Sequence, residues 1–262
     1  MAPPDFEHID CIDSTSLELM RRPLLAPADQ QASRPPILLL ADRQLAGRGR
    51  NGRQWLSGGQ QSLTFSVAIE RNASRLLQLG FPLAVGVALA QVLAGHGARP
   101  LLKWPNDLYC EVPGGVAKAG GILVEVRHIG HLTRTVVGCG LNLAGAPEST
   151  DLGQAVTAFF DAASVPARVP LAQEFGAAIC AAFVEFEKRG LTPFLKHWRR
   201  LDMLAGHPID LLRPDGQREP ARALGVDDDG ALIIERTAGS PAERIISGEV
   251  GVRRRAAGDP NA

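Results

Sequence analysis

The chain has no net charge. Its 28 lysines and arginines balance 28 aspartates and glutamates over 262 residues, so no overall field draws it onto nucleic acid. It also has no C-x-x-C pair. Cys11, Cys110, Cys139 and Cys180 are widely spaced and lack a nearby histidine partner, which fits structural, reduced thiols best. No apolar run reaches membrane length. The longest, Leu79 to Ala94, contains Pro82 and Gly86, with Gln78 and Gln91 toward its ends, and predicts a buried helix. The opening MAPPDFEHID lacks the basic-then-apolar profile of a secretory signal, which leads to the expectation of a cytoplasmic protein.

The most informative absence is local. No acidic residue lies between Asp42 and Glu70, yet Arg43, Arg48, Arg50 and Arg53 all fall there. At the centre of that stretch is Gly47 to Trp55, GRGRNGRQW, in which Gly47, Gly49 and Gly52 alternate with three arginines. Such a backbone can bend tightly and approach a ligand while guanidinium groups project from it, so the segment predicts an anion clamp rather than a merely solvated basic loop. It also has G-x-G-x-x-G spacing, but a dinucleotide turn must open a helix. Here a polar turn, Ser57 to Gln61, leads into Ser62 to Glu70, where Leu63, Phe65, Val67 and Ile69 alternate with small or polar residues as in a strand. A phosphate loop is excluded as well, because no Lys-Ser or Lys-Thr pair follows the glycines.

Along the chain, Thr15 and Glu18 have capping-box spacing and predict a short helix start, where hydroxyls either cap only or also grip a polar ligand. A Pro- and Ala-rich loop, Pro23 to Pro36, precedes a buried strand at Ile37 to Ala41 that delivers Asp42, Arg43 and Gln44 to the clamp. A helix around Leu76 to Leu93 and a strand at Leu101 to Lys103 continue a mixed pattern. In Lys103-Trp104-Pro105-Asn106-Asp107-Leu108, Lys103, Asn106 and Asp107 leave a strand end together, as a structural turn or as a site for phosphate plus Mg²⁺. Gly114 to Gly121 reads as a glycine-rich turn carrying the isolated Lys118, either solvated or facing a ligand, and Ile122 to Val126 as the next strand. Thr133 to Leu143 is a further strand whose Gly138 and Gly140 imply a close neighbour.

From Leu152 to Asp202 the pattern is helical, with Phe175, Ile179, Phe183 and Phe186 forming a core stripe. Short strands at Ile209 to Leu212, Ala221 to Val226, Ala231 to Glu235 and Ile245 to Val252 predict a small β-barrel. Arg253, Arg254 and Arg255 are read as a solvated tail.

In this order, GRGRNGRQW, KWPNDL, the lone lysine before GGILVEV, and GCGLNL resemble the biotin protein ligases, the biotin acetyl-CoA-carboxylase ligases, from about Asp13 to Arg253. The resemblance implies an α+β fold. A catalytic domain over residues 1–204, like that of class II aminoacyl-tRNA synthetases with a mixed sheet flanked by helices, would precede an SH3-like β-barrel and tail over 205–262. It implies ATP-dependent activation of biotin as biotinyl-5′-adenylate and transfer to a lysine of the biotin carboxyl carrier domain of acetyl-CoA carboxylase. Ser14, Thr15, Ser16, Gln44, Gly47, Arg48, Gly49, Arg50 and Lys118 would then hold biotin. Arg50, Arg53, Trp55, Lys103, Asn106, Asp107 and Asn142 would serve ATP. Arg50, Lys118, Lys103 and Asp107 would be catalytic, with Asp107 near Mg²⁺.

Two positions depart from the family pattern: Ser16 replaces a frequent Asn, and Asn51 stands where some members have a basic residue. Members that repress transcription carry an N-terminal helix-turn-helix domain. Only thirteen residues precede Ser14 here, so no DNA partner is expected, nor a membrane, while a homodimer is possible. The competing readings are a lipoate- or octanoyl-protein ligase and an adenylate-binding sensor that has lost transfer.

Overall fold

Alternating strands need two faces to bury, and in the computed structural model one long sheet provides both; residues 1–23, 34–56, 59–72, 80–129, 132–145, 155–213, 215–246 and 251–254 are described. Seven strands make the sheet: β1 (Asp5–Ile12), β2 (Ile37–Gln44), β3 (Ser62–Asn72), β4 (Pro100–Lys103), β5 (Asp107–Val112), β6 (Gly115–Ile129) and β7 (Leu132–Asn142). Their spatial order is β1-β2-β3-β7-β6-β5-β4. Only β1 and β2 pair in parallel.

Neighbouring residues of β3 show how the faces divide. Phe65 stacks on Phe175 of α3 (Arg168–Arg189) with ring centroids 5.6 Å apart, whereas the Ser66 hydroxyl meets Thr15 and Ser16 of α1 (Thr15–Arg21). Successive side chains of a strand point oppositely, so α3 and α1 cover opposite faces. On the α3 side, α2 (Phe81–Gly95) and α4 (Thr192–Leu201) complete the main core with Phe81, Phe183 and Trp198. On the α1 side a small second cluster joins Leu19, Leu39, Ala68 and Val136 and leaves the rest of that face free for a site. By length and composition α3 alone is apolar enough to cross a membrane among the described residues, but its Phe175, Ile179, Phe183 and Phe186 stripe is buried in this core.

The C-terminal strands form a second, antiparallel sheet of order β11-β10-β9-β8-β12: β8 (Pro208–Leu212), β9 (Arg218–Val226), β10 (Leu232–Glu235), β11 (Glu243–Ile245) and β12 (Gly251–Arg254). It is joined to the first sheet by contact. The Trp104 indole N–H, just past β4, donates to the Gly230 carbonyl between β9 and β10 at 2.9 Å, and the connection leading into β8 is tied to β4 by Met203 N–H to the Leu102 carbonyl at 3.0 Å.

Several local expectations change. Ser14, not Thr15, is the N-cap of α1, accepting from Leu17 N–H at 3.4 Å, because the Thr15 hydroxyl is taken by Gln44 and Ser66. β1 was not anticipated, since an exposed edge strand has no clean apolar alternation. β2 runs on to Gln44, so Asp42 and Arg43 belong to the strand. Pro82 falls in the first turn of α2, where a missing N–H costs nothing; Leu76 to Leu79 lie outside the described residues. The turn expected over Gly114 to Gly121 is confined to its first residues. β6 begins at Gly115, and Lys118 is a strand residue beside a bulge opposite Leu108 and Tyr109.

Residues 155–167 are not helical: Val156 bridges Lys118, and a single 3-10 turn spans Ala162–Ser164, with 152–154 outside the described residues. Ile245 to Val252 is two strands, since β11 ends at Ile245 and β12 starts at Gly251, with 247–250 not described. Arg253 and Arg254 are no tail. They pair with Asp210 and Ile209 of β8; Arg255 lies outside the described residues, as do most of the Pro23 to Pro36 loop and residues 57–58 of the polar turn.

Candidate active site

Beyond β2, GRGRNGRQW folds back on itself. Trp55 N–H donates to the Gly47 carbonyl at 2.9 Å and Gly49 N–H to the Arg53 carbonyl at 2.8 Å, with a 3-10 turn, Arg50–Gly52, at the tip. Only glycine suits position 47, where a Cβ would strike the Trp55 carbonyl. Among the described residues the hairpin meets the body of the protein at three places. Arg48 pairs with Glu125 of β6 at 3.1 Å, and Arg50 Nη1 donates to Asn106 Oδ1 at 3.2 Å. The third is Trp55, whose indole lies where a Cβ on residue 140 would stand, so the bare backbone at Gly140 is the close approach the sequence implied. At Gly138 the same role falls to the Ser16 hydroxyl.

Beneath the hairpin is a cavity of about 750 Å³, walled by the N-terminus of α1, the free sheet face and β12. Every residue expected at the site lines it except Gly47, which is buried behind and holds Trp55. The cavity has two chemically different ends. At one, Ser14, Thr15, Ser16 and Gln44 form a neutral hydrogen-bonding wall. Gln44 Oε1 accepts from Thr15 N–H at 2.8 Å and from its hydroxyl at 3.0 Å, while Ser66 Oγ lies 2.7 Å from Thr15 Oγ1 and 2.9 Å from Ser16 Oγ.

The other end is cationic. Arg50, Arg53, Lys103 and Lys118 converge there with Arg253 from β12, and the carboxylate lining it is Asp107, 2.6 Å from Lys118 Nζ. Lys103 is buried, with its ammonium 3.4 Å from the Tyr109 hydroxyl and 5.3 Å from the ring centroid. Burial pushes its pKa down to about 8, with Lys118, Arg253 and Arg53 adding to the depression and Asp107 opposing it. Burial likewise lowers the Arg50 pKa against the attraction of Asp107, and raises the Tyr109 phenol.

Two buried polar atoms have no partner among the described residues, and both belong to residues that line the cavity: the Trp55 indole nitrogen and Asn142 Oδ1. The Asn142 amide nitrogen is spent on the Thr157 carbonyl at 3.0 Å, which turns the unpaired oxygen into a fixed acceptor. An orphaned buried acceptor costs about 1–3 kcal/mol, which a ligand donor would recover.

Sequence reading missed Ser66 and Arg253. Ser66 had a signal, since Thr64 and Ser66 are small polar residues on the strand face opposite Leu63, Phe65 and Val67. Arg253 had none, because the pairing of β12 with β8 that brings it to the cavity is nonlocal. Cys139 is also better placed now. It pairs with Phe65 and Ile122 in the α3-side core, and burial pushes its thiol well above the ordinary value.

Fold and cleft together define a mixed α+β protein with a polar, cation-rich cavity over one sheet face. Residues 11–142 match the Biotin/lipoate A/B protein ligase family, and the chain belongs to that family. It is 33% identical over 200 residues to the bifunctional ligase/repressor BirA of Salmonella typhimurium, covering 75% of this chain and 61% of that protein. It is 32% identical over 246 residues to the biotin--[acetyl-CoA-carboxylase] ligase of Paracoccus denitrificans, 90% of this chain and 98% of the relative. Thus the chain spans nearly all of one relative and about 61% of the other. Its fold is also that of the biotin protein ligase from Aquifex aeolicus in complex with biotin and ATP, at TM-score 0.75 and 23% identity, over 96% of this chain and 99% of that one.

Proposed function

We propose that this chain is an ATP-dependent biotin ligase that forms biotinyl-5′-adenylate and transfers the biotinyl group to a lysine of a carboxyl carrier domain. The observation that carries the reading is the two-ended cavity, a neutral hydroxyl and amide wall leading into a cluster of cations. A ligand with a neutral, hydrogen-bonding ring and a carboxylate that meets a triphosphate has that same sequence of chemistries. Ser14, Thr15, Ser16 and Gln44 would receive the ureido ring, and Gly49 and the Arg48 backbone would close over it.

In the first step a biotin carboxylate oxygen attacks the α-phosphorus and the bond to pyrophosphate breaks. Arg50, Lys103 and Lys118 hold the negative charge that gathers there, and the closed hairpin keeps water away. Asn142 Oδ1 is suited to the exocyclic amine of adenine, and Trp55, Arg53 and Asn106 would border the nucleotide. In the second step the carrier's neutral lysine amine attacks the acyl carbon and AMP leaves. No enzyme nucleophile is required, which agrees with Cys139 facing the core.

For Mg²⁺, the cavity offers the Asp107 carboxylate and the Asn106 amide. That fits an ion carried in by phosphates and water better than a protein cage, since Mg²⁺ uses one or two carboxylates in such sites. The ion would neutralise phosphate charge. The finer architecture belongs to the same proposal: a class II synthetase-like domain over 1–204 and an SH3-like barrel over 205–262, working in the cytoplasm.

Pyrophosphate release on mixing with biotin and ATP tests the first step. Labelled biotin against labelled lipoate, with ATP and a carrier domain, tests the substrate. Preference for lipoate would favour the lipoate-ligase reading, and adenylate without transfer would favour a sensor.

A further inference from the structure

We propose that Glu125 is a positioning residue that latches the Gly47 to Trp55 hairpin over the cavity through Arg48, and that this pair governs how long a bound ligand is retained. The inference rests on the proposed function only for the identity of that ligand. Of the hairpin's three attachments, Arg50 to Asn106 and Trp55 over Gly140 are made between residues that line the cavity, so an entering ligand competes with them. The Arg48 attachment differs, because Glu125 is not part of the lining. It lies two residues past Leu123 on β6, hence on the same face and just beyond the rim.

The pairing uses both carboxylate oxygens, Nη2 to Oε1 at 3.1 Å and Nη1 to Oε2 at 3.5 Å, the fork geometry in which arginine and carboxylate hold each other's orientation. Arg127, the next basic side chain on that face, is already donating to the Met20 carbonyl and does not compete. Two consequences follow for Arg48. Its charge is paired with Glu125 rather than with a group of the lining, and its side chain is committed to the sheet while its backbone borders the neutral end. Opening of the pair would then free the hairpin to swing off a ligand beneath it.

The test is tryptic cleavage after Arg50 and Arg53 in the ligand-free protein, which tracks the population of the open hairpin. Glu125→Gln should speed it about twofold to fivefold, the range for a partly exposed ion pair. Arg48→Glu and Glu125→Arg should each do the same, and the double exchange should return cleavage toward the parent rate with Tm unchanged. Dissociation of a non-hydrolysable sulfamoyl analogue of biotinyl-adenylate should follow the same order. Parent-like cleavage in Glu125→Gln, or a double exchange cleaved faster than either single variant, would overturn the latch. If proteolysis behaves as expected and the analogue never binds, the ligand is misassigned and the latch stands.

Discussion

Lys118 Nζ lies 2.6 Å from Asp107 Oδ1, with both side chains largely buried, across the paired strands β5 and β6. The carboxylate holds the ammonium at the cationic end of the cavity until phosphate or carboxylate oxygens arrive to share it.

Lys118→Ala and Arg50→Ala should therefore each impair adenylate formation or its retention. Loss of one charge-assisted contact is worth about 1.5–3 kcal/mol, roughly tenfold to a hundredfold. Carrier biotinylation at the parent rate under subsaturating substrates, in both variants, would show the site to be misassigned.

Lys103 should confer a pH dependence. Its pKa is depressed by burial from 10.5 to about 8, so the folded protein loses the proton while the unfolded chain keeps it between those values. Where the unfolded state binds more protons, stability rises with pH, so the Lys103 contribution to folding should increase across that window. Affinity for ATP should move the other way, falling as the ammonium is lost. Isothermal titration across the window checks this, and Lys103→Arg, charged throughout, should flatten the ATP profile if Lys103 is its source.

The thiols should divide by exposure. Cys11 is exposed and Cys139 is buried in the core with its pKa raised, so iodoacetamide should label Cys11 first, as read by mass spectrometry of the native protein. Cys139→Ala should still form and transfer adenylate. Normal adenylate with lost transfer would instead indicate a mechanistic thiol.

Gly140→Ala should displace the Trp55 indole, because the added Cβ would occupy its position. Overpacking of this kind costs about 1–3 kcal/mol. The expected result is weaker ATP binding with a shift in Trp55 fluorescence, which a Trp55→Phe background would identify. Unchanged ATP affinity would mean that Trp55 does not border the nucleotide.

Much of this was legible in the sequence because it is local chemistry. Alternation in SLTFSVAIE identified β3, the aromatic stripe of α3 identified its buried face, and interleaved glycine and arginine identified a tightly bending segment between β2 and β3. The readings that failed were those in which pairing overrides composition. Glycines around Lys118 suggested a bare turn, yet hydrogen bonds to β5 and to residues 155 and 157 on either side of Val156 draw that segment into a strand. Arg253 and Arg254 read as a tail, yet pairing with β8 makes them exposed residues of a strand.

By itself, then, the sequence determined which residue types would line the cavity, since backbone permissiveness and charge are properties of each residue. Only the tertiary structure decided what those residues do to one another. Arg48 pairs with Glu125, Cys139 turns away from the cavity it borders, and Arg253 enters it from the second sheet. Each outcome depends on strand register and long-range pairing, where one residue of offset reverses the face a side chain occupies.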